Sequence, residues 1–237
     1  MYAPQASQSK MTTSNQKKYY EHNWKNLTGL QMSPELAHLG YSWVSALPRG
    51  NCLDIGCGDG TNAQKLNTLG FSTECCDISL AAIKKARAKG LNARVVDLNS
   101  PKIPFAANKY SLIWLSDVIE HVFWPDNLLQ LIYRLLRPGG YVFITTPNVS
   151  WFIIRLQLLF GKTLYDIHPE HVRWFNYSTL TQTLLKHGFE IVNTSAYNRL
   201  TPFPWSQKIN LLKKLDGTSS VNDLFSYTLA VLAQKPR

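Results

Sequence analysis

The stretch LDIGCGDGT, residues 53–61, constrains this chain more than any other. An apolar run ends at Ile55, glycines follow at 56, 58 and 60, and a helix-like run begins at Thr61. A buried strand that passes at once into a helix needs backbone with positive φ and room for close approach, which alternate glycines provide. In open parallel sheets that junction lies at the carboxyl end of a strand, where ligands bind against helix amides.

The surrounding pattern extends the reading. Strands are expected at 51–55, 72–78, 93–98, 111–116 and 141–146. Helices are expected at 61–69, at 80–89 with Ser79 as N-cap, and at 126–137, stopped by Pro138-Gly139-Gly140. Repeated strand, helix, strand order specifies an α/β fold: a mostly parallel sheet with helices on both faces. Residues 1–16 are polar and read as a flexible tail, and 17–27 as a short helix returning to the body of a single domain, 17–237. The rhythm breaks at 147–176, an aromatic-rich insertion assigned to a lid or substrate pocket. Segments 187–196 and 227–234 read as a terminal antiparallel pair flanking KINLLKKL (208–215).

The 237 residues, 45% of them hydrophobic, suffice for one sizeable core. The first residues lack the apolar segment of a secretory signal, and the longest greasy run, 151–160, is short for a membrane span and holds Arg155. A cytoplasmic protein is therefore expected. Cys52, Cys57, Cys75 and Cys76 have no metal-ligand spacing and read as buried thiols. The net charge of +10 is spread over short clusters such as Lys84, Lys85, Arg87 and Lys89, with no appended nucleic-acid module, so a solvated surface is preferred to an RNA-binding one.

Three carboxylates narrow the ligand. Asp54 precedes the glycine loop, Asp77 ends the second strand where it could accept both hydroxyls of a ribose, and Asp97 ends the third where it could face an adenine amino group. Each has a purely structural alternative: Asp54 bonding backbone amides, Asp77 capping the next helix, Asp97 closing a turn. Together they fit an adenosine without a pyrophosphate. The loop is GxGxG, lacking the extra residue usual in dinucleotide binders, and no Tyr-x-x-x-Lys hydride site occurs.

With LDIGCGDG (53–60), CDIS (76–79), VVDL (95–98), PF (104–105), SLIWLSDVIEHV (111–122) and LLRPGGYVFITTPN (135–148), the chain resembles the class I S-adenosyl-L-methionine (SAM) dependent methyltransferases over roughly residues 50–150. The resemblance implies a Rossmann-like seven-stranded sheet whose last strand, 227–234, is antiparallel. It implies that Asp54 and the loop Gly56, Cys57 and Gly58 hold the methionine end of SAM, Asp77 the ribose, and Asp97 with Leu98 the adenine. Ile78 and Ser116 complete the expected cofactor-binding set.

SAM carries its methyl on a positive sulfur, so the enzyme's task is to align a nucleophile and, for an alcohol or phenol, to receive its proton. Asp117, Glu120 and His121 stand at i, i+3 and i+4 and would share a helix face beyond the fourth strand. His168, Glu170 and His171 lie in the insertion. The first group resembles the Glu-x-x-Glu-His motif of the ubiquinone-biosynthesis O-methyltransferases and the small-RNA 2′-O-methyltransferases, which use a metal. Here the first acid is Asp117, one methylene shorter. The expectation is therefore a metal-free site in which His121, with Glu120, Asp117 and His171 beside it, acts as base or orients the acceptor. Tyr19, Tyr20, Trp24, Trp151, Trp174 and Phe175 suit either a substrate pocket or core packing. The function expected is methyl transfer to an oxygen or nitrogen of a small molecule; the alternatives are RNA methylation and a non-catalytic partner protein that keeps the fold.

Overall fold

A computed structural model describes residues 12–26, 34–100, 103–198 and 217–237. Its helices are α1 (Thr13–Asn26), α2 (Pro34–Ser45), α3 (Thr61–Thr68), α4 (Leu80–Ala88), α5 (Pro125–Leu135), α6 (Phe152–Leu159), α7 (Leu164–Ile167) and α8 (Tyr177–Lys186). Its strands are β1 (Asn51–Ile55), β2 (Ser72–Asp77), β3 (Asn92–Val95), β4 (Tyr110–Ser116), β5 (Leu136–Pro147), β6 (Glu190–Asn198), β7 (Gly217–Ser219) and β8 (Ser226–Gln234), and a 3₁₀ turn covers Ile119–His121. The segment KINLLKKL (208–215) and the first eleven residues of the expected tail lie outside the described residues.

The strands form one sheet in the order β3-β2-β1-β4-β5-β8-β6-β7. β1 to β5 pair in parallel, whereas β8 runs antiparallel to both β5 and β6. The seven long strands are those expected of the Rossmann-like fold; three-residue β7 extends the edge beyond them. Strand order reverses between β1 and β4, which opens a crevice at their carboxyl ends.

Two apolar layers cover the sheet. On one side Leu53, Ile55, Ile113 and Leu115 pack with Leu129, Ile132, Leu180 and Leu184 of α5 and α8. On the other, α2 lays Leu36 and Val44 over Leu112, Trp114 and Phe143. The rings of Trp114 and Phe143 stand 4.2 Å apart, and Tyr41 stacks on Trp114 at 5.3 Å. Gly40 lets this stack meet the helix: a Cβ there would lie 2.6 Å from both rings.

Several boundaries differ from expectation. Helix α5 ends at Leu135, and the chain is already extended at Leu136, with ψ 137°. Pro138 forbids helical backbone at Arg137, so the switch falls before the proline and β5 begins five residues earlier than expected. Helix α1 begins at Thr13, so residues 13–16 belong to it, and Gln16 is buried. Helices α2 and α8 are additions to the sequence reading, although Asn176 and Thr179 form a capping box at the start of α8. The four cysteines are buried free thiols, as expected. Among the described residues no helix is long and apolar enough to cross a membrane.

Candidate active site

A cavity of about 690 Å³ opens at the carboxyl ends of β1, β2 and β4, a size suited to a small ligand. Its floor is the glycine loop. The Gly56 and Cys57 amides bond the Cys76 carbonyl at 2.8 and 3.0 Å, and the Gly58 amide bonds Asp77 Oδ2 at 3.0 Å. Gly58 has φ 53°, and a Cβ on it would sit 2.3 Å from Cζ2 of Trp24. Only glycine meets both conditions.

Asp77 also accepts the Ser79 amide at 2.8 Å. Burial pushes its carboxyl pKa up while those amides pull it back. Ser79 caps α4 as expected, accepting the Ala82 amide, and its hydroxyl donates to Glu21 of α1 at 2.9 Å. Asp97 lies in a turn two residues past β3, accepts the Asn99 amide at 2.9 Å and lines the cavity with Leu98, Ile78, Cys57 and Ser116. Asp54 is not among the lining residues. It is buried behind the loop, where burial and the Asp77 charge raise its pKa and the Ala63 amide lowers it.

The group expected to be catalytic departs from a helix face. Asp117 has φ 52° and stands outside the 3₁₀ turn that carries Glu120 and His121. A short Asp side chain bonds the local chain readily and so tolerates this left-handed conformation. Its carboxylate accepts from the hydroxyls of Thr145, at 3.1 Å, and Ser116, at 3.4 Å. Glu120 is 2% exposed; Oε2 accepts from Thr146 at 3.0 Å, and Oε1 has no hydrogen-bond partner among the described residues. Burial and the Asp117 charge hold its pKa well above the usual carboxylate range.

The insertion returns to this point. The carbonyl of Glu120 accepts the Val172 and Arg173 amides at 3.0 and 2.9 Å, which brings His171 within 4.7 Å of His121, ring to ring. His121 Nδ1 lies 3.2 Å from the Glu170 carbonyl. A carbonyl can only accept, so Nδ1 carries the proton and Nε2, 3.8 Å from Glu120 Oε1, keeps its lone pair. Burial lowers the His121 pKa. Burial, with His121 and His168 as neighbours, brings His171 down to about 3, and its Nδ1 is buried without a partner among the described residues. Burial favours neutral Glu170, but the hydrogen bond from His168 and the nearby histidine charges outweigh it and bring the pKa down to about 2.

The aromatic candidates divide. Tyr19, Tyr20 and Trp24 line the cavity, while Trp151 packs on Tyr227 and Phe175 joins the main core. Trp174 leans on His168 and His171. Sequence reasoning missed Gln16, whose amide donates to the His121 carbonyl at 2.7 Å, and His38 and Tyr41 of α2, which also line the cavity. Their distance along the chain from the glycine loop left no local signal.

Comparison with known proteins identifies the family. A family model described as a methyltransferase domain matches residues 29–194. The chain belongs to this methyltransferase family. It is therefore a SAM-dependent methyltransferase, with SAM as its methyl donor. It is 24% identical over 222 residues to a ubiquinone biosynthesis O-methyltransferase of Albidiferax ferrireducens, covering 86% of this chain and 84% of that one. It is 29% identical over 175 residues to the human mitochondrial ubiquinone biosynthesis O-methyltransferase, covering 67% of this chain and 47% of that one. In fold it is similar to a SAM-dependent methyltransferase of Thermotoga maritima described as a possible histamine N-methyltransferase. The TM-score there is 0.62 at 18% identity, over 84% of this chain and 91% of that one.

Proposed function

We propose that this methyltransferase transfers the methyl group of SAM to an oxygen of a small-molecule acceptor. The glycine loop would hold the methionine end of SAM, Asp77 and Ile78 its ribose, and Asp97 and Leu98 its adenine, with Ser116 beside it. Asp54 acts from behind, supporting the loop. The observation that carries the choice of oxygen is the tautomer of His121: a neutral imidazole points its Nε2 lone pair toward buried Glu120 in the same cavity. A neutral amine would need no such proton acceptor, whereas a hydroxyl does. The two relatives named above are O-methyltransferases, which supports the same reading.

When bound, SAM would supply an electrophilic methyl on a positive sulfur and leave as a neutral thioether once the acceptor oxygen has taken that methyl. His121 Nε2 would receive the proton of the acceptor hydroxyl. Alignment supplies the larger share, ~7–11 kcal/mol in well-oriented intramolecular models. Oε1 of Glu120, 3.8 Å from Nε2, would accept from the N–H that forms.

One observation favours a second reading. Single ligand atoms of Glu120, His121 and His171 lie within 4.8 Å of one another, and two buried members of that set, Glu120 Oε1 and His171 Nδ1, lack partners among the described residues. One carboxylate and two imidazoles fit a divalent cation. Asp117 is engaged by Thr145 and Ser116. When bound, the ion would acidify the acceptor hydroxyl. Formation of S-adenosylhomocysteine, measured after EDTA treatment and again after adding Mg²⁺, Mn²⁺ or Zn²⁺, separates the two. Unchanged turnover supports His121 as the base; loss followed by recovery supports the ion.

A further inference from the structure

Gln16, Tyr20 and Trp24 are spaced by four and so occupy one face of α1, and all three line the cavity. That face spans the site from end to end. Trp24 lies over Gly58 of the cofactor loop, whereas Gln16 bonds the His121 carbonyl at 2.7 Å. Between them, the ring of Tyr20 meets the His121 ring edge-on at 5.5 Å. The Tyr20 hydroxyl is closed to solvent yet has no hydrogen-bond partner among the described residues. A phenol packed for its ring alone could be a phenylalanine; a buried hydroxyl is normally paired.

We infer that Tyr20 positions the methyl acceptor, its hydroxyl donating a hydrogen bond to an acceptor oxygen held beside His121. This rests on the proposed O-methyl transfer and assigns a group that recognises the substrate. The donor belongs to the acceptor and not to SAM because of its place on the helix: Trp24 sits over the glycine loop, and Tyr20 is one turn away, at the histidine. An acceptor with two neighbouring oxygens satisfies both groups at once, one oxygen losing its proton to His121 and the other taking the hydrogen bond from Tyr20.

Tyr20→Phe removes one oxygen and leaves the ring in place. Catechol, which offers two adjacent hydroxyls, is the probe, with the full chain and SAM. The expected result is a KM for catechol raised roughly tenfold, the size of one lost neutral hydrogen bond, with the S-adenosylhomocysteine Kd and the Tm unchanged. Equal kinetics in both proteins overturn the inference. A loss confined to S-adenosylhomocysteine affinity also overturns it and hands the hydroxyl to the cofactor. Wild-type protein that binds S-adenosylhomocysteine but neither binds nor methylates catechol counts against it as well. Failure of wild-type protein to bind S-adenosylhomocysteine would instead strike the proposed cofactor site.

Discussion

The backbone amide of Gly58 donates to the carboxylate of Asp77 at 3.0 Å, joining the ligand loop to the end of the neighbouring strand. The residue expected to grip a ribose therefore also shapes the loop proposed to hold the cofactor. Asp77→Ala should weaken S-adenosylhomocysteine binding by more than the ribose contact alone, at least the ~1.5–3 kcal/mol of a charged hydrogen bond. Calorimetry on folded protein checks this. An unchanged Kd would remove Asp77 from the site.

His121→Ala should lower turnover by ~10²–10⁴ if the imidazole takes the acceptor proton. Affinity for S-adenosylhomocysteine should stay within about twofold, since the proposed cofactor residues lie elsewhere on the cavity wall. Single-turnover methyl transfer measured beside calorimetry tests the pair of outcomes. Normal turnover in the variant would leave alignment as the whole of the catalysis.

Acid should expose the histidine cluster. His171 is held down to about 3 in the folded chain, against an ordinary value near 6.5, so the unfolded state binds the extra proton first. Stability should fall as pH drops from about 6.5 toward 3 and gain no further loss from this group below that. Glu170, held at about 2, departs in the same direction: its contribution is complete above its unfolded value and disappears as pH falls through about 2. Urea midpoints of wild type and His171→Gln across this range provide the check. The variant should show the shallower decline between 6.5 and 3, and parallel curves would contradict the assignment.

Gly40→Ala tests the docking of α2. Helix propensity favours alanine by ~1 kcal/mol, whereas forcing a methyl group into a packed aromatic stack costs ~1–3 kcal/mol. With both Phe143 and Trp114 at 2.6 Å from the new carbon, the second effect should win. A lower Tm is expected in thermal unfolding, and a higher one would mean that the rings have room to move.

What the sequence disclosed follows the range of the interactions. The glycine loop, the Ser79 cap and the alternation of β1 to β5 are local matters, decided within a few residues, and they were legible. The candidate-site cluster was legible only as a list of residues. Spacing suggested that Asp117, Glu120 and His121 share a helix face, but Asp117 lies outside the turn at φ 52°, with its carboxylate bonded to Thr145 and Ser116. The approach of His171 depends on two backbone amides bonding the Glu120 carbonyl some fifty residues away. Gln16 meets His121 across a separation of 105 residues. No periodicity encodes such meetings, because they arise from the path of the chain around the sheet.

Asn148 holds the two ends of the insertion together. It pairs with Phe175 across a parallel bridge, the Val149 amide bonds the Phe175 carbonyl at 2.9 Å, and the Asn148 side chain ties this junction to Asp223 and Ser226 at 3.0 and 2.8 Å. An excursion whose entry and exit are bonded to each other can lengthen, shorten or change composition while the sheet receives the same two ends. The junction lets residues 149–167 vary as a unit without disturbing the sheet, while His171 to Arg173 stay anchored at Glu120, so a change in the expected substrate insertion need not reach the glycine loop.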